Sequence, residues 1–413
     1  MLKIAIMGHG VVGSGVSELL LTHKAQYTEK IGAYDIKYIL DLRDFPGHPL
    51  EDRFTKDFQD IANDDEVGYV VEVMGGLHPA YEFVKTCLER GKHVVTSNKE
   101  LVAMKGAELL AIAKEKNVNF LFEASVGGGI PIIRPMQQCL AANKIRSISG
   151  ILNGTTNFIL TKMIREKMSF EDALALAQQL GYAERNPAAD VEGLDACRKI
   201  CILASLAFGK HVYPDQVTTE GITKITEADV AYAQDYDCAI KLIGHAKDRN
   251  DGKITAFVAP LLVSKKCLLA NVEDVFNAVM VDGDATDEVI FYGKGAGKLP
   301  TASAVVADVL DCVAHSEKRR TMDWVDCAES TVEAMEVRET RMYFRVVSSD
   351  PALRDRINAI FGKVYFLHRE EQPIDEIAFI SDCCTEKELS ALAQQLKNEG
   401  YAVESTIRVA DFA

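Results

Sequence analysis

The sequence lacks a hydrophobic run long enough to cross a membrane. Its richest apolar segment, residues 200–208, has the length of a buried helix, whereas a membrane-spanning helix needs roughly 18 consecutive apolar residues. Glycine interrupts the apolar run at the N-terminus after a few residues, and no cleavage-like segment follows. We therefore interpret this run as a buried strand rather than a signal peptide, and we expect no membrane association.

Cysteine spacings typical of metal sites or disulfide frameworks are also missing. The ten cysteines include no CxxC pair and no regular spacing, which a zinc site or a small disulfide framework would require. Cys197 and Cys201 are four residues apart and would share one helix face, where packing is favoured over a redox role. We therefore expect reduced, buried cysteines and a cytoplasmic location.

Positive charge is scarce in this chain. Forty-six lysines and arginines stand against 61 aspartates and glutamates, which gives a formal net charge of −15. Such a surface repels phosphate backbones and anionic lipid headgroups at long range. Neither a nucleic acid nor a membrane is therefore expected as a partner.

The length of the chain and the alternation of its elements predict an α/β protein with several domains. A chain of 413 residues, 48% of them hydrophobic, can form two or three cores of ordinary size. Short β-branched runs alternate with helical patterns through residues 1–123, and these strands are apolar throughout. This pattern is typical of a parallel sheet covered by helices on both faces, and it predicts a first domain over residues 1–127.

The pattern changes after the first domain. Residues 128–299 alternate helical and extended segments, which predict an α+β domain with its own sheet. A helix over about 300–315, with Thr301 as its cap behind Pro300, is expected to belong to the first domain.

The last part of the chain has a different organisation again. Polar residues over 316–337 predict a linker. Residues 338–413 then have the order strand, helix, strand, strand, helix, strand, which is the order of a ferredoxin-like unit.

The first predicted strand is followed at once by the sequence GHGVVG. Gly8, Gly10 and Gly13 have the GxGxxG spacing, in which the glycines allow a tight turn, the approach of a pyrophosphate and close helix packing. The helix N-terminus there, with Val11 and Val12 in its first turn, can bind phosphate. We therefore predict a Rossmann domain that binds a nicotinamide or flavin dinucleotide, with a merely structural turn as the alternative.

The end of the second predicted strand should decide the cofactor. An acid there binds the ribose hydroxyls of NAD, whereas an arginine accommodates the additional phosphate of NADP. The segment LDLRD offers Asp41, Arg43 and Asp44 together. Both cofactors remain open at this point, and Arg43 leads us to expect NADP.

Acidic residues and a lysine cluster in the run GYAERNPAADVEGLDACRK. Glu184, Asp190, Asp195 and Lys199 lie on a loop and on a helix that we expect to begin near Asp190. Asp195 and Lys199 are four residues apart, so that one helical turn places them on the same face. The cluster predicts a catalytic site, and an ordinary capped helix with an exposed ion pair is the alternative.

Seven motifs together resemble a known family. They are GHGVVG at 8–13, EVMGG at 72–76, TSNKE at 96–100, EASVGGGIP at 123–131, LNGTTNFIL at 152–160, GYAE to RK at 181–199 and GKGAGKLPTASAVVAD at 293–308. With these motifs the chain resembles, over essentially its full length, the stand-alone homoserine dehydrogenases that carry a C-terminal ACT domain. The resemblance implies reversible reduction of L-aspartate 4-semialdehyde to L-homoserine by NAD(P)H, a step towards threonine, methionine and isoleucine.

The resemblance also implies roles for individual residues. Lys199 matches the proton donor of the family, with Asp195 orienting it, and Lys99 lies close to nicotinamide and substrate. Glu184 and the neighbouring Asp190 match acids that receive the substrate. The glycines Gly75, Gly295 and Gly297 are expected to contact the dinucleotide, although a helix-capping loop is the alternative for the last two.

Family members hold a monovalent cation, Na⁺ or K⁺, in the segment that matches EASVGGGIP. The matching positions are Glu123, Val126, Gly128 and Ile130, which would bind mainly through backbone carbonyls. Glycines permit the sharp turns that aim carbonyls inward. A simple hinge between domains is the alternative interpretation.

The resemblance leaves regulation and assembly open. An ACT domain commonly senses an amino acid, and threonine is the expected effector, yet the segment SSDPALRD has Asp350 and Pro351 without the glycine usual in the effector loop. A homodimer or homotetramer is expected. A sugar or inositol dehydrogenase and a non-catalytic amino-acid sensor are the alternative functions.

Overall fold

A computed structural model of the protein describes residues 1–327 and 329–412. Residue 328 of the predicted linker and residue 413 of the predicted ferredoxin-like unit lie outside the described residues. Contacts divide the chain into two units. The first unit comprises residues 1–148, 198–216 and 281–331, and the second comprises 149–197, 217–280 and 332–413.

The first part of the chain alternates strands and helices as predicted. Its elements are β1 (Leu2–Met7), α1 (Val11–Thr22), α2 (Lys24–Ile31), β2 (Tyr34–Leu40), β3 (Phe54–Thr55), α3 (Gln59–Ala62), β4 (Val67–Glu72), α4 (Ala80–Glu89), β5 (His93–Thr96), α5 (Lys99–Lys116), β6 (Phe120–Leu121), α6 (Ile133–Gln138) and β7 (Ile145–Ile151).

The middle part is richer in helices before its long strands. Its elements are α7 (Gly154–Glu166), α8 (Phe170–Gln179), α9 (Ala188–Val191), α10 (Leu194–Phe208), β8 (Thr218–Thr219), α11 (Glu227–Asp235), β9 (Cys238–Asp248), β10 (Ile254–Ser264), β11 (Phe276–Gly283), β12 (Asp287–Lys294) and α12 (Lys298–Ala314).

The last part has the predicted order of strands and helices, with two additional short strands. Its elements are β13 (Glu339–Thr340), β14 (Met342–Val347), α13 (Leu353–Phe361), β15 (Val364–Leu367), β16 (Glu376–Ser381), β17 (Cys384–Thr385), α14 (Glu386–Asn398) and β18 (Ala402–Val409). Among the described residues, no helix combines the length and the apolar character that a bilayer crossing needs.

The first unit contains a parallel sheet with the order β3-β2-β1-β4-β5-β6. Strand β1 lies at its centre, and Ile4 to Met7 are fully buried, as the continuous apolar run predicts for a strand covered on both faces. The direction of the strand order reverses between β1 and β4. A crevice that can bind a ligand forms beyond the carboxyl ends of the strands at such a reversal.

The second unit is organised around a long antiparallel pair. Strands β9 and β10 pair along their full lengths, from Ile254–Asp248 to Ser264–Cys238. Strand β10 also pairs in parallel with β18 through Leu261–Arg408 and Leu262–Val409. The ferredoxin-like strands therefore continue this sheet, in the order β18-β14-β16-β15, around a core that includes Phe344 and Phe379.

Three details differ from the sequence-based expectations. The expectation of one helix that begins near Asp190 is wrong: α9 covers Asp190, Gly193 interrupts the helical path at φ +84°, and α10 begins at Leu194. Thr301 is not the cap of α12, because Gly297 occupies that position and Pro300 fits the first turn, where its missing N–H costs nothing. Two cysteines that were expected to be buried, Cys139 and Cys383, are exposed.

Candidate active site

The GHGVVG turn has the geometry that its spacing predicts. Gly8 adopts φ +101° directly after β1, and a Cβ on Gly13 would lie 2.0 Å from the carbonyl oxygen of Gly8. Gly10 is the N-cap of α1, and no atom lies within 4 Å of where its Cβ would be. The first and third glycines are therefore required by the fold, whereas the second leaves open space at a helix N-terminus, where an anion binds favourably.

Val11 and Val12 form the first turn of α1 beside this open space. Val11 is 68% exposed, which is unusual for a valine in the first turn of a packed helix. Both residues belong to the first turn of the helix at which the phosphate site is predicted.

Asp41 and Arg43 form one ion-paired unit at the end of β2. The Arg43 guanidinium donates from Nε to Asp41 Oδ1 and from Nη2 to Asp41 Oδ2, both at 2.9 Å. The backbone N–H of His9 donates to Asp41 Oδ2 at 2.9 Å, and Arg43 Nη2 donates to the carbonyl of His9. The hydrogen bonds from Arg43 hold the pKa of Asp41 well below its usual range, even though burial acts against this.

The turn after β4 is stabilised by a buried acid that sequence analysis did not single out. Glu72 is fully buried and accepts hydrogen bonds from the backbone N–H groups of Met74 at 2.8 Å and Gly75 at 3.3 Å. The hydroxyl of Thr96 donates to its other oxygen at 2.5 Å. Burial raises the pKa of Glu72. Gly75, a predicted cofactor residue, is thereby held at φ +78° beyond a carboxyl end of the sheet.

Lys99 is the first residue of α5, directly after β5. Asn98 caps this helix by accepting from the N–H of Leu101 at 3.1 Å, and its side-chain amide donates to the carbonyl of Gly76 at 2.6 Å. The loops after β1, β4 and β5 therefore lie at the same edge of the parallel sheet, where a doubly wound fold binds its ligand.

The predicted cation segment packs against the loop that precedes α12. The N–H of Gly129 donates to the carbonyl of Lys294 at 3.1 Å, and a Cβ on Gly128 would lie 2.3 Å from the carbonyl oxygen of Gly295. Gly15 of α1 packs similarly against Ala302. Helix α12 and the loop before it therefore pack against α1 and the predicted cation segment within the first unit. The predicted contacts of Gly295 and Gly297 with the dinucleotide stay predictions.

The carboxylate of Glu123 binds the start of α6. It accepts from the N–H groups of Ile132, Ile133 and Arg134 at 2.6 to 2.8 Å. Val126, Gly128 and Ile130 carry no side-chain oxygen, so these three positions can offer a cation only their backbone carbonyls. Oxygen ligands of this kind suit hard cations. Within the described residues, no group of three or more His, Cys, Asp or Glu side chains is arranged to hold a metal ion.

Two of the predicted acids in the second unit are brought together by Asn153. Its side-chain amide donates to Asp190 Oδ1 at 2.7 Å and to Asp195 Oδ2 at 2.9 Å. Its side-chain oxygen accepts from the N–H of Thr156 at 2.9 Å and thereby caps α7. Asn153 lies in the motif LNGTTNFIL, but neither its spacing nor its residue type indicated this role.

The remaining residues of the predicted cluster, Glu184 and Lys199, differ in exposure. Glu184 is exposed on the loop after α8, where its backbone carbonyl accepts from the side chain of Gln178 at 3.1 Å. Asp195 and Lys199 are both buried on α10, with 5% and 8% of their surface exposed. Because they are one turn apart, the predicted arrangement on one helix face is confirmed, and burial argues against an exposed ion pair.

Together, the parallel sheet with its GxGxxG turn and the buried lysine and aspartate on one helix define an NAD(P)-dependent oxidoreductase. Two family models match the chain: "Homoserine dehydrogenase, NAD binding domain" over residues 8–123 and "Homoserine dehydrogenase" over residues 131–310. The chain belongs to the homoserine dehydrogenase family, and its function is that of this enzyme.

Individual relatives agree with this assignment. The homoserine dehydrogenase of Synechocystis sp. is 42% identical over 376 residues, which cover 87% of this chain and 86% of the relative. The crystal structure of a homoserine dehydrogenase from Thiobacillus denitrificans has a TM-score of 0.90 at 35% identity and covers 99% of this chain and 98% of its own. A hyperthermophilic archaeal homoserine dehydrogenase in complex with NADPH has a TM-score of 0.65 at 28% identity, covering 77% of this chain and 99% of its own.

Proposed function

We propose that Lys199 is the proton donor in the reduction of L-aspartate 4-semialdehyde to L-homoserine. The nicotinamide cofactor supplies the hydride when bound, and negative charge then develops on the former aldehyde oxygen. A preorganised ammonium can neutralise that charge and deliver a proton.

The observation that carries this proposal is the burial of Asp195 and Lys199 one turn apart on α10. A buried lysine needs an anionic or polar partner, and a carboxylate one turn away on the same face can orient it. The side-chain amide of Asn153, which lies 42 residues earlier in the chain, also holds the carboxylate of Asp195. Asp190 and Glu184 are proposed to receive the ammonium group of the substrate, and Lys99 to assist near the nicotinamide.

We further propose NADP as the preferred cofactor. The ion pair with Arg43 neutralises Asp41, so the end of β2 does not present an isolated negative charge to a 2′-phosphate. The Arg43 side chain remains 62% exposed and can still donate to a phosphate.

The remaining assignments are proposals of the same kind. Backbone carbonyls of Glu123, Val126, Gly128 and Ile130 would bind Na⁺ or K⁺, and removal of both ions should then lower the melting temperature. The ferredoxin-like segment would be an ACT domain with threonine as effector, which a titration of activity with threonine tests. A cytoplasmic homodimer or homotetramer remains the expected state.

Oxidation of NADPH in the presence of aspartate semialdehyde tests the proposed function. We expect turnover with this substrate and none with inositol or sugars. Absence of turnover with aspartate semialdehyde would favour the amino-acid sensor, and turnover of a sugar instead would favour the other dehydrogenase class.

A further inference from the structure

Arg408 joins the ferredoxin-like segment to the middle of the second unit. It lies on β18 and is 9% exposed. Its Nη1 and Nη2 atoms donate to Glu220 Oε2 and Oε1 at 2.8 and 2.9 Å. The same guanidinium donates to both oxygens of Glu386, at the start of α14, at 2.8 Å. The two-pronged bond to each carboxylate fixes direction as well as distance.

Glu220 lies next to the backbone that joins α9 to α10. Its N–H donates to the carbonyl of Val258 at 2.8 Å. A Cβ on the next residue, Gly221, would lie only 2.1 Å from the carbonyl oxygen of Val191, and the N–H of Ile222 donates to that same oxygen at 2.8 Å. Residues 220–222 therefore pack directly on the backbone that joins α9 to α10.

That backbone carries both acids held by Asn153. Asp190 immediately precedes Val191, and Asp195 follows Gly193 by two residues. A Cβ on Gly193 would lie 3.3 Å from the carbonyl oxygen of Glu220. The positions of Asp190 and Asp195 thus depend on how residues 220–222 are held.

The strand contact near Arg408 is short, whereas the rest of the segment is anchored elsewhere. Strands β10 and β18 pair at only two positions, one of which is Arg408 itself. On the other side of the segment, Arg345 and Tyr343 both bond to Asp229 of α11 at 3.0 Å. The pair with Glu220 is therefore a charged contact that links this anchored segment to residues 220–222, which pack on the backbone between α9 and α10.

We propose that Arg408 is a positioning residue for the substrate, acting through Glu220 on the backbone of residues 191–193. This inference rests on the proposed role of Asp190, which immediately precedes Val191, in receiving the ammonium group of the substrate. The ferredoxin-like segment would then help to set the affinity for the amino-acid substrate even without an effector.

The test compares Arg408→Lys, Glu220→Gln and the double variant in the full chain. Arg408→Lys retains the charge but loses the two-pronged geometry. Glu220→Gln changes a side chain that is 46% exposed, so this variant is expected to fold. We expect each single variant to raise KM for aspartate semialdehyde roughly three- to tenfold. The kcat and the KM for NADPH should stay within about twofold of the unmodified values. The double variant should raise KM for aspartate semialdehyde no further than Arg408→Lys alone, because both single changes break the same contact between Arg408 and Glu220.

Arg356→Lys is the matched control. Arg356 forms a two-pronged pair with Glu399 inside the same segment, so its replacement should leave both KM values unchanged. Unchanged KM for aspartate semialdehyde in Glu220→Gln, or an equal rise in both KM values, would overturn the proposal. If the unmodified enzyme does not turn over aspartate semialdehyde, the proposed function fails first, and the two failures are distinguished.

Discussion

The side-chain amide of Asn153 donates to Asp195 Oδ2 at 2.9 Å. The second N–H of the same amide donates to Asp190, so both donors of one amide are used by two carboxylates. The amide therefore bridges the side chains of the two acids. This arrangement makes position 153 sensitive to charge.

Two replacements of Asn153 should distinguish the effect of an added charge on activity from the effect of a lost helix cap. Serine and aspartate both cap helices well, so Asn153→Ser and Asn153→Asp should retain the start of α7. The aspartate adds a third carboxylate beside two others, which repel it. We expect kcat/KM to fall roughly tenfold in Asn153→Ser and at least about tenfold further in Asn153→Asp. Equal activity of the two variants would contradict the account.

Glu184→Gln should mainly weaken binding of the amino-acid substrate. Removal of the negative charge lowers the attraction for the substrate ammonium, so KM for aspartate semialdehyde should rise while kcat changes little. Glu192→Gln is the control, since Glu192 is also exposed in the same part of the chain. An unchanged KM in Glu184→Gln would indicate that Glu184 only anchors its loop.

Arg43→Gln should change the preference between cofactors. The variant loses the donor proposed for the 2′-phosphate and releases the carboxylate of Asp41, which can then repel that phosphate or bind ribose hydroxyls. We expect kcat/KM with NADPH to fall about tenfold or more, whereas the value with NADH should hold or rise. Lys56→Gln, which removes a nearby exposed cation, serves as the control. A clear NADH preference in the unmodified enzyme would refute the expectation.

His245 should make the protein less stable in mild acid. Burial lowers its pKa to about 4, with Asp411 acting in the opposite direction, and Ser149 Oγ lies 2.9 Å from its Nδ1. A histidine in the unfolded chain titrates near pH 6.5, so the unfolded state takes up a proton before the folded state does as the pH falls. The stabilisation of the folded state by neutral His245 is therefore complete above that pH and is lost as the pH falls towards 4. The loss is about 3 kcal/mol in free energy of unfolding.

Urea unfolding between pH 7 and pH 4 checks this prediction. The midpoint of His245→Gln should fall less steeply with acid than that of the unmodified protein. The exposed His23 provides the control, because His23→Gln should leave the slope unchanged. Parallel pH curves for His245→Gln and the unmodified protein would contradict the assignment.

Local sequence patterns were sufficient for the elements that local chemistry determines. The spacing of Gly8, Gly10 and Gly13 predicted a turn whose first and third glycines leave no room for a side chain. The four-residue separation of Asp195 and Lys199 predicted their common helix face. Gly193, by contrast, has a left-handed conformation that separates α9 from α10. The sequence pattern had predicted one continuous helix across this position.

Contacts between distant residues could not be predicted in this way. Asn153 meets acids 37 and 42 residues later, and Arg408 meets Glu220 188 residues earlier. The sequence showed Glu72 only as the first residue of the EVMGG motif, because its burial and its hydrogen bonds to the following turn depend on the neighbouring strand. Such partners are fixed by topology and packing, which a one-dimensional pattern does not contain.

The rate of hydride transfer in a single turnover of Lys199→Met, measured beside the dissociation constant for NADPH, tests the central claim most directly. The account predicts a rate lower by roughly two to four orders of magnitude, with NADPH affinity within about twofold of the unmodified enzyme. A rate close to normal, with the fold and cofactor binding intact, would contradict the assignment of Lys199 as the proton donor.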